Sequence, residues 1–381
     1  VTLLLFAASL TVWTATAAIT FPPQVRWSAA LPASPAFAPA FDEVYAYFPL
    51  RNDELVALKL DDGSKAWSVE CPMTAPPAAG EGSLFVGRDG QIQGRARNDG
   101  GLQWGRTVAG RIVSLHWNTG WLLASSEHGH LIALRGTDGE ILWQHDLHSP
   151  LSGPPAIAGD RLHVPLKDGR IVAMGLQDGQ QIWTHKLTDA AVGIAAFADK
   201  VFVGGRDNQF HALGAEDGDT HWRWPTGADL LGLPAVDNRR VYFIALDNVL
   251  RGHHRNNGSM LWKRVLPMRP FTGPILVGDT LIVSGVASEL RAYNVLDGKP
   301  AGEFTVKGAE NEEMLLAAAP HLTASGVIVL ITKGGQVRAV HSPPAAPPAE
   351  TKPTPDAPPP TDAVPEPDGV AAPGPATLAQ P

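Results

Sequence analysis

Ala133-Leu134-Arg135-Gly136-Thr137-Asp138-Gly139-Glu140-Ile141-Leu142-Trp143 is the stretch that decides the fold. It holds a small residue, an Asp-Gly pair five residues on, and a tryptophan four residues after the glycine. Asp-Gly favours a two-residue hairpin turn, because both central positions need positive φ. The stretch therefore reads as two antiparallel strands, the second carrying Trp143. The same pattern returns at Ala173 to Trp183 and at Ala212 to Trp222.

Followed outward, the pattern covers most of the chain. The turn pairs are Asp62-Gly63, Asp99-Gly100, Asp138-Gly139, Asp178-Gly179, Asp217-Gly218, Asn257-Gly258 and Asp297-Gly298, spaced by 37, 39, 40, 39, 40 and 40 residues. An earlier turn precedes each by ten residues, for example Asp168-Gly169 and Asp247-Asn248, and Gly334-Gly335 is an eighth copy. Five residues into each copy stands a small residue: Ala57, Gly94, Ala133, Ala173, Ala212, Gly252, Ala292 and Ala339. Tryptophan follows the turn glycine at Trp67, Trp104, Trp143, Trp183, Trp222 and Trp262. The seventh copy has Gly302 instead, with Phe304 as the expected substitute.

Two turns ten residues apart make three strands, and an apolar run before the first turn, such as Val241-Tyr242-Phe243-Ile244, makes a fourth. Four strands per 40 residues is the blade unit of a β-propeller. A ring of such sheets buries faces that a lone sheet leaves wet. The eighth copy runs into proline before reaching its tryptophan strand. Trp27 precedes Trp67 by 40 residues, so the N-terminal strand is expected to complete the last blade. The expected fold is all-β, an eight-bladed propeller of four-stranded antiparallel blades.

Three domains are expected. Residues 1–18 read as a secretory signal peptide, since Leu3, Leu4, Leu5, Phe6, Leu10, Val12 and Trp13 form an apolar stretch before the small-x-small site Ala15-Thr16-Ala17. Residues 19–341 hold the propeller. Residues 342–381 are proline-rich with no aromatic residue, a composition that cannot bury enough surface to offset chain entropy, so a disordered tail is expected.

A formal net charge of −8 argues against nucleic acid as a partner. Cys71 is the only cysteine, which excludes an intramolecular disulfide and a cysteine-built metal site. It reads as a buried thiol. His128-Gly129-His130 occupies a turn slot and reads as surface rather than metal; His145 and His185, each two residues after a blade tryptophan, read as edge residues.

The repeat resembles the quinoprotein-type (PQQ-like) propeller repeat, Ala-x-x-x-x-Asp-Gly-x-x-x-Trp, over about residues 24 to 341. The resemblance implies that Trp27, Trp67, Trp104, Trp143, Trp183, Trp222 and Trp262 pack between adjacent blades. One branch of that family is made of dehydrogenases that bind pyrroloquinoline quinone and calcium. Another is made of non-catalytic envelope propellers, such as the outer-membrane assembly factor B propeller of the Bam complex. The dehydrogenases carry long inserted loops, and many an adjacent cysteine pair. Spacings of 37 to 40 leave no room for such loops, and Cys71 stands alone.

The expected function is a non-catalytic interaction scaffold, periplasmic or secreted, with no cofactor and no metal. It is read as a monomer with no integral membrane segment in the mature chain, binding envelope proteins and assisting outer-membrane protein assembly. The alternatives are a small PQQ-dependent dehydrogenase and a ligand-binding sensor propeller. One segment is basic in an otherwise acidic chain, and Arg239, Arg240, Arg251, Arg255 and Arg264 are the candidate docking residues. Glu310, Glu312 and Glu313 form an opposing acidic run.

Overall fold

The structure, a computed structural model, describes residues 21–307 and 314–342. The signal peptide, the run Glu310 to Glu313 and the tail beyond Ser342 lie outside the described residues.

Every regular element among the described residues is a β-strand, paired antiparallel with its neighbours. Six sheets have four strands each, as in Ala235–Val236, Arg240–Ala245, Val249–His254 and Met260–Val265. The chain pairs each strand with the next, so a sheet grows from a short first strand to a tryptophan-bearing last strand. The first strands touch one another in succession. Ala156–Ala158 meets Ala191–Phe197, which meets Ala235–Val236, which meets Ile275–Val277. They form the inner ring, and the last strands form the rim. The core is a series of apolar clusters, such as Leu123, Leu162 and Val172 with Trp143.

The N-terminal strand Gln24–Ala30 pairs with Gln336–His341, placing Trp27 opposite Ala339 and Ala29 opposite Val337. The ring is therefore closed by its two chain ends, as the 40-residue step from Trp27 to Trp67 implies.

The number of sheets departs from expectation. There are seven, not eight. The second and third sequence units run together into one six-stranded sheet through the long strands Ser83–Ala96 and Leu102–Asn118. Leu102–Asn118 pairs with Ser83–Ala96 through Trp104 and with Trp121–Ser126 through Leu115. Proline interrupts most other passages from rim to inner ring, as in Cys71 to Pro77 or Ser149 to Pro155, although Leu187 to Ala190 has none and the sheets still part there. Val108-Ala109-Gly110-Arg111-Ile112 has none, and Asp89 pairs with Arg111, so the ladder continues across the junction.

Candidate docking surface

The repeated residues form one device. Ala57, Gly94, Ala133, Ala173, Ala212, Gly252 and Ala339 lie directly opposite Trp67, Trp104, Trp143, Trp183, Trp222, Trp262 and Trp27. A small residue there leaves room for the indole to lie flat and cross toward the next unit. Its Nε1 donates to a carbonyl of that unit: Trp27 to Leu60, Trp67 to Arg97, Trp104 to Gly136, Trp143 to Leu176, Trp183 to Ala215, Trp222 to Arg255 and Trp262 to Val295, at 2.7–3.1 Å. The ring covers the turn glycine of the same unit. Gly218 has φ +75°, and a Cβ there would lie 2.5 Å from Cε3 of Trp183. The glycine is needed twice, for the left-handed turn and for the approach of the indole.

One junction lacks the indole. Gly302 lies opposite Ala292, and the space over it is filled by Phe21, whose Cβ would be 2.2 Å from a Cβ at Gly302. Phe304, the expected substitute, sits beside Phe21 in the same apolar cluster and does not take the tryptophan position. Phe21 precedes the closing strand, so the N-terminal segment holds both neighbours. Phe21 packs back on Gly302, and Trp27 bonds forward to Leu60.

The candidate docking arginines are not gathered into one free surface. Arg251 is buried, lies on the third strand of its sheet and pairs with Asp247. Arg240 pairs with Asp237 at 3.6 Å. Arg264 donates to the carbonyls of Gly298 and Asp297 in the next unit, at 2.7 and 3.0 Å. The Arg255 guanidinium lies over the Phe197 ring, 4.9 Å from its centroid, with Nε and Nη1 buried and unpartnered. Of the five only Arg239 is exposed; its backbone N–H donates to Asp237 at 2.7 Å, and its guanidinium has no partner among the described residues. Charge counting does not reveal that Arg240, Arg251 and Arg264 are engaged by partners of the fold itself and that Arg255 lies on an aromatic ring.

The sheet stands out for another reason. Leu233, Leu246, Met260, Leu261 and Val265 supply five of the twelve exposed large apolar residues among those described, and Val265, at 75%, is the most exposed of them. Leu246 and Leu233 lie in its connections, and the other three on its rim strand Met260–Val265. The position equivalent to Val265 holds Glu70, Asp146, Lys186 or Pro225 in four other rim strands and the uncharged Ala30, Thr107 and Thr305 in three, all less bulky and less apolar than Val265. Charges and proline discourage pairing of open edges. Met260–Val265 lacks that guard at its end, and its outer edge has no partner strand.

Other singled-out residues are unremarkable chemically. Cys71 is buried, and burial raises its thiol pKa. His128 is exposed beside Glu127 at 3.5 Å. Among the described residues no three His, Cys, Asp or Glu side chains converge as metal ligands. No helix there is long and apolar enough to cross a membrane.

Comparison with known proteins agrees with this architecture. The sequence profile of the family described as outer membrane protein assembly factor BamB matches residues 88–191 and 167–352. The Burkholderia pseudomallei protein of that name is 22% identical over 59% of this chain and 63% of its own length. The Yersinia pestis protein is 23% identical over 79% of this chain and 83% of its own. The crystal structure of BamB from Moraxella catarrhalis superposes with a TM-score of 0.67 over 84% of this chain and 97% of that one, at 16% identity. A computationally designed protein, Ika8, superposes with a TM-score of 0.71 at 14% identity, which marks the likeness as one of fold.

Proposed function

From the premise that this chain belongs to the family of the outer membrane protein assembly factor BamB, we propose that it is a non-catalytic scaffold of the bacterial envelope that assists outer-membrane protein assembly. The observation that carries the docking mode is the open strand Met260–Val265 with exposed Met260, Leu261 and Val265. Its occupant is an extended segment of a partner envelope protein, added as a further strand. Backbone hydrogen bonds supply affinity, and alternate side chains supply selectivity. Exposed Lys263, Arg239 and Arg269 around the strand favour a segment with acidic and apolar residues.

The reading places the mature chain in the periplasm and treats the leader, residues 1–18, as cleaved. The tail, residues 342–381, acts as a spacer. The seven tryptophans act as packing residues rather than a stacking platform for ligand, because each indole already covers a glycine and donates to a carbonyl. Arg239 remains the basic residue best placed to meet the partner.

The test is capture of partners from solubilised native envelope by the purified protein, with Val265→Asp and Leu261→Asp compared with wild type. The reading expects an outer-membrane assembly protein in the wild-type eluate and its loss with either variant, at unchanged melting temperature. Capture undiminished in both variants overturns the edge. A bound chromophore after addition of pyrroloquinoline quinone and calcium would replace the scaffold reading with the dehydrogenase alternative.

A further inference from the structure

The inner ring is not uniform. One slot on each first strand pairs with the centre of the second strand, and it recurs in all eight sequence units. It holds Ala40, Ala78, Ala156, Ala195 and Ala235 in five units and Ile275 in a sixth. The remaining two units carry His116 and His321. Small apolar residues suit a crowded axis, so two imidazoles there call for a reason.

Both histidines line cavities. His321 lines one of about 860 Å3, together with Glu43, Glu81, Arg97 and Trp117. His116 lines one of about 340 Å3 with Asn118, and Trp117 borders both. The Nε2 of His116 is buried with no hydrogen-bond partner. The Trp117 indole N–H also bonds to no protein acceptor, unlike the seven framework indoles. Gly80 and Gly136 leave the space that the Trp117 ring occupies, since a Cβ at either would fall within 2.3 Å of it. The Trp117 ring also stacks on Phe85, with centroids 5.0 Å apart. The opposite sector has a cavity of about 580 Å3 lined chiefly by Ile157, Ala158, Ala196 and Phe197, with no such polar group unsatisfied.

We propose that the larger cavity, bordered by Trp117 and His321 on the inner ring, is a binding site for a neutral saccharide. The site offers donors in the Trp117 N–H and Arg97 and acceptors in Glu43 and Glu81. Hydroxyl groups, each donor and acceptor, satisfy such a mixed set. Burial pushes His321 down to about 4, so its imidazole is neutral near pH 7 and carries one donor and one acceptor nitrogen. The carboxylates outnumber Arg97 at the mouth, which disfavours anions.

The site lies on the inner ring, and the docking strand lies on the rim, so either can fail without the other. The test is calorimetric titration of the full chain with N,N′-diacetylchitobiose, with trilysine as the cationic comparison. The disaccharide is expected to bind saturably and to shift the Trp117 indole N–H resonance. Arg97→Ala and Trp117→Phe should each weaken it about tenfold with the melting temperature held. Asn238→Ala, across the ring, should leave it unchanged. Absence of binding at millimolar disaccharide overturns the proposal. So does trilysine binding in its place, or equal affinity in both site variants.

Discussion

The indole of Trp183 and the backbone of Gly218, 35 residues apart, form a single joint: Nε1 donates to the Ala215 carbonyl at 3.1 Å while the ring lies where a Cβ of residue 218 would stand. The joint recurs with Gly63, Gly100, Gly139, Gly179, Gly258 and Gly298 under the preceding tryptophan. Sequence repetition thus translates into repetition of an inter-unit contact.

Gly218→Ala should cost roughly 2–4 kcal/mol, because strained φ and overpacking add. Gly120→Ala is the control, with φ +80° and no atom within 4 Å of the added Cβ. It carries the conformational term alone, about 1 kcal/mol. Urea unfolding of the two variants measures the difference. Equal losses would show that indole approach contributes nothing.

Phe21→Ala should destabilise by roughly 1–3 kcal/mol, since it opens a gap over Gly302 at the junction without an indole. Phe304→Ala, at the position expected from sequence, should leave that gap closed. Deleting residues 21–30 removes both Phe21 and Trp27, and should broaden thermal unfolding as the ring opens. A transition as sharp as wild type would mean that the chain ends do not fasten it.

Acid should weaken the fold in a defined window. Burial lowers His116, His253 and His321 to about 4, while the same groups in the unfolded chain titrate near 6.5. Between those values the unfolded chain binds protons that the folded chain does not, so stability falls as pH falls through the window. Above about 6.5 these groups contribute no pH dependence. Each supplies a slope of roughly 1.4 kcal/mol per pH unit within it. Urea midpoints from pH 8 to 4.5 should be flat and then decline. His253→Phe, which keeps a ring between Trp224 and Phe243, should shallow the decline.

Some of this was legible in the residue order. The Asp-Gly turns, the small residue opposite each tryptophan and the 40-residue step from Trp27 to Trp67 are spacing signals, and spacing is what sheet register preserves. The merged sheet was less visible. Absence of proline between Val108 and Ile112 permits it but does not mark it, since Leu187 to Ala190 also lacks proline and there the sheets part. Phe21 left no periodic mark, because it acts from outside the repeat on a glycine in another unit. Arg251 misled because charge alone does not reveal that its strand position faces Asp247 inside the sheet. His116 and His321 sit on first strands whose offsets from the turns vary, so their shared slot emerges from pairing and not from counting.

Val265 is the residue on which the docking account turns, and a photo-crosslinking amino acid placed there reads it in the cell. Equivalent placements at Glu70 and Lys186, on guarded rim strands, serve as comparison. The account predicts an adduct with an outer-membrane assembly protein from position 265 and none from the other two. Adducts of equal yield from all three positions, or from positions 70 and 186 alone, would contradict it.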